Sequence, residues 1–222
     1  MATTPHPRLL ADLLAVGAPY ALALGGGIAV QLHGLTDRPT RNVDVATDSA
    51  TPIADIAAAV RTGLGRLGWQ VRELETEPLS AVLLAADPDA GEECEIEILK
   101  ETLWRPPVES EFGPVLAVED VIGTKVRALA DRGLARDLID VHAAADRWSH
   151  AELEELGRRH AREEFDLTEL QARLARADWI DDAEFAAAGL DPAATAALRA
   201  WAQSWVDDIA ERLMEETPPD AD

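Results

Sequence analysis

The 222-residue chain has one cysteine, so no disulfide framework can form within it, and Cys94 has no cysteine companion with which to build a zinc site. The five histidines, at 6, 33, 142, 150 and 160, fall at no spacing typical of zinc ligation. Nowhere do the roughly eighteen consecutive apolar residues of a membrane-spanning helix occur. Residues 1–7 lack a charged segment leading into an apolar run of secretory type, and a soluble cytoplasmic protein is expected. No internal repeat is visible. Basic residues are scarce, 20 against 42 acidic ones, for a net charge of −22. Non-specific nucleic-acid binding relies on basic surface that releases counterions from phosphate, so no DNA partner is expected. RNA fits only if bases cluster around a cleft, for which Arg38, Arg41, Lys100, Arg105, Lys125, Arg127, Arg132 and Arg136 are available. A basic protein or cationic small molecule suits the acidic remainder better, and plain solubility explains it equally well.

What is present begins between Tyr20 and Asp48. Residues 20–24 read as a short apolar strand, Gly25, Gly26 and Gly27 allow a tight turn with close backbone approach to a ligand, and a helical pattern runs from Ile28 to Gly34. Such a turn can present bare N–H groups to a phosphate. Downstream, Asn42-Val43-Asp44-Val45 alternates, so Asn42 and Asp44 share the polar face of a strand. A second alternating segment, Cys94 to Ile98, buries Cys94, Ile96 and Ile98 and puts Glu95 and Glu97 opposite. Mg²⁺ favours carboxylates together with substrate phosphates, and a metal site needs several acids in one small volume; Asp44 and Glu97 are the candidates. Each feature also has an ordinary reading, as a plain turn or the wet face of a sheet. Lys125 lies inside the apolar stripe of Val118, Val121, Ile122, Val126 and Leu129, where it either snorkels to solvent or faces a cavity holding an anion. A helix over 134–148 carries Arg136, Asp137 and Asp140 on one face, Arg136 and Asp140 reading alone as a surface ion pair.

Together these residues resemble the AbiEii-like toxin branch of the polymerase-beta-like nucleotidyltransferases, over about the first two thirds of the chain. In that family a Gly-Gly or Gly-Ser turn precedes an Arg-x-[Ser/Thr]-x-Asp-x-Asp strand, matched here by Gly26-Gly27 and then Arg38, Thr40, Asn42 and Asp44. Glu97, Lys125 and the Arg136-Asp137-x-x-Asp140 helix match the later motifs in order. The resemblance implies an α+β fold, a small mixed sheet flanked by helices and followed by a helical C-terminal region, with a nucleotidyltransferase core over 1–112, helices completing the site over 113–150 and a helical region over 151–222. It implies transfer of an NMP from an NTP to a hydroxyl of RNA (tRNA), a protein or a small molecule. Asn42, Asp44 and Glu97 would hold Mg²⁺ or Mn²⁺, Gly26, Gly27, Arg38, Thr40 and Lys125 the nucleotide, and Asp44, Lys125, Asp137 and Asp140 would be the catalytic candidates. A cognate antitoxin is an implied partner.

Asn42 departs from the pattern, which has aspartate there. Removing one negative charge about 4 Å from a cation forfeits on the order of several kcal/mol even at an effective dielectric near 20. Weak occupancy of at least one metal position is therefore expected, whether the enzyme is naturally degenerate, works with one tightly held ion, or had its aspartate replaced to silence it. A catalytically degenerate nucleotide-binding or interaction protein on the same fold is the alternative.

Punctuation and periodicity place a helix over 7–16, another opened by Thr51 as N-cap and Pro52 as first helical residue, strands over 69–74 and 79–85, a turn at 87–91, and a proline-containing connection over 103–114. Asp191-Pro192 opens a long helix striped by Leu198, Trp201, Trp205, Ile209 and Leu213, which packs internally or forms a partner groove, and residues 215–222 are expected to fray.

Overall fold

Apolar alternation along successive short segments builds a sheet, and the computed structural model, which describes residues 7–89 and 91–216, contains one of seven strands. By backbone contacts the chain divides into two compact units, Met1–Val121 and Ile122–Asp222.

In the first unit the strands are β1 (Ala23–Leu24), β2 (Val43–Thr47), β3 (Gln70–Thr76), β4 (Ser80–Asp87), β5 (Glu92–Lys100), β6 (Val108–Ser110) and β7 (Gly113–Val115). They are ordered β3-β4-β5-β2-β1-β7-β6, with β2 parallel to β5, β1 parallel to β7 and the other neighbours antiparallel. The helices are α1 (Pro7–Gly17), α2 (Gly26–Leu32) and α3 (Ile53–Arg66). Residues at helical spacing on α1 (Leu9, Leu10, Leu13) and α3 (Ile53, Ile56, Val60, Leu64) are buried with the alternate strand residues Val43, Val45, Leu83, Ile96 and Ile98 in one core. The opposite side chains of β2 and β5, Asp44 and Glu97, are only half-buried. Helix α4 (Val118–Asp131) carries the chain across the division.

The second unit is helical: α5 (Ala135–His142), α6 (His150–His160), α7 (Leu167–Ala175), α8 (Asp182–Ala187) and α9 (Pro192–Glu216). Leu198, Trp205 and Ile209 of the expected α9 stripe are buried with Leu153, Leu170, Leu174 and Phe185, while Trp201 and Leu213 are half-buried. No helix among the described residues is long and apolar enough to cross a membrane.

Several boundaries differ from the sequence reading. The strand expected from Tyr20 starts only at Ala23, because Ala18–Tyr20 forms a 3-10 turn and Ala21 sits in the left-handed region at φ 51°. Helix α2 begins at Gly26, not Ile28. Pro52 is the cap of α3 rather than its first helical residue, and Thr51 supplies no side-chain cap. The connection over 103–114 hides the β6–β7 hairpin, whose three-residue strands are too short for alternation to register; Ser110 Oγ donates to the Gly113 carbonyl at 2.7 Å to close its turn. Since β7 pairs with β1, the sheet extends past residue 112 and the compact division falls at 121/122. The helix expected over 134–148 ends at His142, where successive turns take over. Of the expected fraying segment, 217–222 lies outside the described residues, as do residues 1–6 and Ala90 of the expected turn.

Candidate active site

The glycine turn joins β1 to α2, and the antiparallel pairing of β1 with β2 brings it to Asp44: the Gly25 N–H donates to the Asp44 carbonyl at 2.8 Å. Gly26 has φ +55°, and a Cβ there would lie 1.6 Å from Asp44 Oδ2. Both the left-handed backbone and the carboxylate pressed against it require glycine. A Cβ on Gly27 would lie 2.5 Å from Thr40 Oγ1 and 3.0 Å from a guanidinium nitrogen of Arg38. Thus five residues singled out in the sequence, Gly26, Gly27, Arg38, Thr40 and Asp44, converge on one turn.

The loop carrying Arg38 and Thr40 is held by groups the sequence reading did not identify. Gln31, one helical turn beyond Gly27 on α2, donates its side-chain amide to the Arg38 carbonyl, and Thr36 Oγ1 accepts from the Arg38 N–H at 3.2 Å. A polar side chain on the last turn of α2 was the available signal. Thr40 is buried and its Oγ1 has no hydrogen-bond partner. An unsatisfied buried hydroxyl costs about 1–3 kcal/mol, and at a functional site it marks a place where an oxygen ligand fits.

Asp44 and Glu97 are register partners on the parallel strands β2 and β5, whose backbones run about 4.8 Å apart. They therefore stand side by side on the half-buried face, while Val43, Ile96, Val45 and Ile98 point into the core. Asn42 Nδ2 donates to Asp44 Oδ1 at 2.6 Å. Cys94, behind this strand pair, has its thiol pushed up to about 11, by burial first and then by the charges of Asp44 and Glu95, so it is a protonated core side chain at neutral pH. Among the described residues no three His, Cys, Asp or Glu side chains gather as a metal cluster. Asp44 and Glu97, register partners on adjacent strands, are the carboxylates that could help hold a divalent ion together with phosphate oxygens, and the Asn42 amide is turned toward Asp44.

The other candidates lie in the second unit. Lys125 Nζ meets Asp140 Oδ2 at 2.8 Å, both side chains buried, so the partner of this lysine in the stripe is a carboxylate of α5. Asp137 is fully buried and accepts from Arg132 at 2.8 and 2.9 Å and from the Leu134 N–H at 3.3 Å, capping α5. The expected pairing of Arg136 with Asp140 is replaced by these two, and Arg136 is exposed. A ring of bases is also thinned: Lys100 donates to the carbonyls of Ser49 and Thr51, and Arg127 to that of His160 at 2.9 Å.

A family model described as "Nucleotidyl transferase AbiEii toxin, Type IV TA system" matches residues 8–209. No curated protein sequence matches. Among solved structures, JHP933 from Helicobacter pylori superposes with a TM-score of 0.57 at 18% identity, covering 95% of this chain and 94% of that one. A candidate nucleotidyltransferase from H. pylori gives 0.57 at 18%, covering 93% and 95%. MenT4, a nucleotidyltransferase toxin from Mycobacterium tuberculosis H37Rv, gives 0.49 at 16%, with 91% of each covered. At these identities the two H. pylori likenesses speak for the fold, an α+β arrangement of a mixed sheet flanked by helices.

Proposed function

Since the chain belongs to the AbiEii nucleotidyl transferase toxin family of type IV toxin–antitoxin systems, we propose that it transfers an NMP from an NTP to a hydroxyl of RNA (tRNA), a protein or a small molecule, with Mg²⁺ or Mn²⁺. The observation that carries this reading is the register pairing of Asp44 with Glu97 beside a glycine turn that packs on Arg38, Thr40 and Asp44. Asp44 and Glu97 would hold the divalent ion, which when bound supplies Lewis-acid neutralisation of the phosphates. Arg38 gives a fixed planar donor for phosphate oxygens, and the Thr40 hydroxyl, buried without a partner, donates to one of them. The Gly26 and Gly27 backbone comes within reach of the triphosphate because no side chain stands in the way. Holding the α-phosphate still against an acceptor hydroxyl lowers the barrier chiefly through position and charge. Lys125, Asp137 and Asp140 we assign to holding the second unit together through their ion pairs. A cognate antitoxin and a cytoplasmic location complete the reading.

One observation favours the second reading, a nucleotide-binding protein that has lost transfer: the Asn42 amide is engaged with Asp44. Incubating the protein with each α-labelled NTP, Mn²⁺ or Mg²⁺, and either total RNA or lysate protein decides between them. Label transfer by the wild type, raised in Asn42→Asp and lost in Asp44→Asn, is expected. Calorimetric NTP binding with no transfer in either the wild type or Asn42→Asp would establish the second reading.

A further inference from the structure

Strands β5 and β6 sit at separate places in the sheet, so the link between them has to travel. From Lys100 to Val108 it passes β2, β1 and β7, roughly 19 Å at a strand spacing of about 4.8 Å. At a reach of about 3.5 Å per residue it runs nearly extended, and Pro106 and Pro107 stiffen its second half. Midway the link is tied down by a side chain of a residue only 1% exposed. Asp120, on the first turn of α4, accepts the Trp104 N–H on Oδ1 at 3.0 Å and the Arg105 N–H on Oδ2 at 2.9 Å. A buried carboxylate engaged by two successive N–H groups fixes the backbone, yet both side chains that it presents lie largely in solvent. Trp104 is 54% exposed and the Arg105 side chain 63%, the latter meeting Glu119 at 3.9 Å in an open ion pair that contributes little.

The anchor lies beside the glycine turn. Leu116, about one helical turn before Asp120, donates its N–H to the Leu24 carbonyl at 2.9 Å, its carbonyl meets His33 Nε2 at 2.7 Å, and a Cβ on Gly25 would touch its side chain at 3.6 Å. We propose that Trp104 and Arg105 form a stacking platform for a nucleobase at the edge of the candidate site, the indole supplying the π face and the guanidinium a second plane. Every base has a π face, so such a platform tolerates any sequence, and a backbone held before the ligand arrives lowers the ordering cost of binding. The base comes from the NTP or from an unpaired nucleotide of an RNA acceptor. The inference rests on the nucleotide-handling reading of the site and adds to it two residues that the reading does not use.

The test titrates the full chain by calorimetry, in the presence of Mg²⁺, with ATP, with inorganic tripolyphosphate, which has the phosphates without a base, and with single-stranded oligoadenylate. Trp104→Ala is expected to weaken the binding of ATP, of oligoadenylate or of both by on the order of tenfold. It should leave tripolyphosphate binding and the melting temperature as in the wild type, since the side chain is largely in solvent. Trp104→Leu, which keeps apolar bulk without the ring, is expected to lose as much, and Trp104→Phe to stay nearest the wild type. Loss confined to ATP assigns the platform to the donor base, and loss confined to oligoadenylate assigns it to the acceptor strand; either supports it. Equal affinities of wild type and Trp104→Ala for both base-bearing probes, or a parallel loss for tripolyphosphate, overturns the platform while the nucleotide site stands. A wild type that binds none of these probes removes the nucleotide reading itself, and the platform with it.

Discussion

The candidate acids of the two units sit in different surroundings. In the second, each deeply buried acid meets a base: Asp140 meets Lys125, Asp137 meets Arg132, and Glu154 takes Arg212 bidentately at 2.6 and 2.8 Å while also accepting from Trp205 Nε1. Glu154 and its hydrogen bonds drive the Arg212 guanidinium further up. In the first unit, Asp44 and Glu97 stand on adjacent strands, half-buried, with a glycine turn pressed against one of them. Buried pairs fix how helices meet, whereas two like charges placed side by side at partial exposure are disposed for an ion or a polar substrate. On the proposed function the difference separates acids that build from acids that bind, although both kinds look alike as isolated letters.

The sharpest way to break this contrast is to remove one partner of a buried pair. Lys125→Met leaves Asp140 buried without its countercharge and is expected to destabilise the chain by about 3–5 kcal/mol, read by urea unfolding. Adding Asp140→Leu should restore most of the loss, because an apolar pair of similar volume replaces the ionic one. A single variant as stable as the wild type would show that the pair does not hold the unit. Gly26→Ala tests the other side with a smaller effect on stability. The left-handed backbone alone costs a side chain about 1–2 kcal/mol, and the methyl must displace the Asp44 carboxylate. Mn²⁺ binding and label transfer should therefore fall together and much further than the stability does.

Most of the first unit was legible because its signals are periodic. Alternation along 94–98 and the helical spacing of Ile53, Ile56, Val60 and Leu64 report burial directly, and the half-buried Glu97 follows from the same pattern. The β6–β7 hairpin was not legible, since three residues cannot display a period of two and Pro114 sits inside one strand. Register was equally hidden: nothing in the letters states that Asp44 lies beside Glu97, a fact created by the β2–β5 pairing. Partner choice among charges failed for a similar reason. Arg136 lies four residues before Asp140 on one helix, but the buried carboxylate takes Lys125 from α4, because an exposed pair within a helix gains little while a buried charge must be compensated. Gln31 and Thr36 went unread because their work is to hold the backbone of the loop that carries the recognised residues.

The smallest effect sharpens the contrast through pH. His142 at the end of α5 is held below its ordinary value by burial, with the charge of Asp146 opposing, and its ring lies 5.0 Å from that of Trp201. In the unfolded chain the imidazole takes a proton near pH 6.5, whereas in the fold it resists until the pH is lower. The unfolded state then binds more protons on the acid side, so the contribution of His142 is present above that pH and is lost as the pH falls through the depressed folded value. Urea unfolding at about pH 7.5 and pH 5 should show a larger loss in the wild type than in His142→Gln, which has nothing to titrate at that position. Tryptophan fluorescence should register the transition, Trp201 being the ring next to the imidazole. Equal acid losses in both proteins would mean that the protonated imidazole is as well accommodated in the folded helix cluster as in water, and that burial in the second unit is less strict than its paired acids indicate.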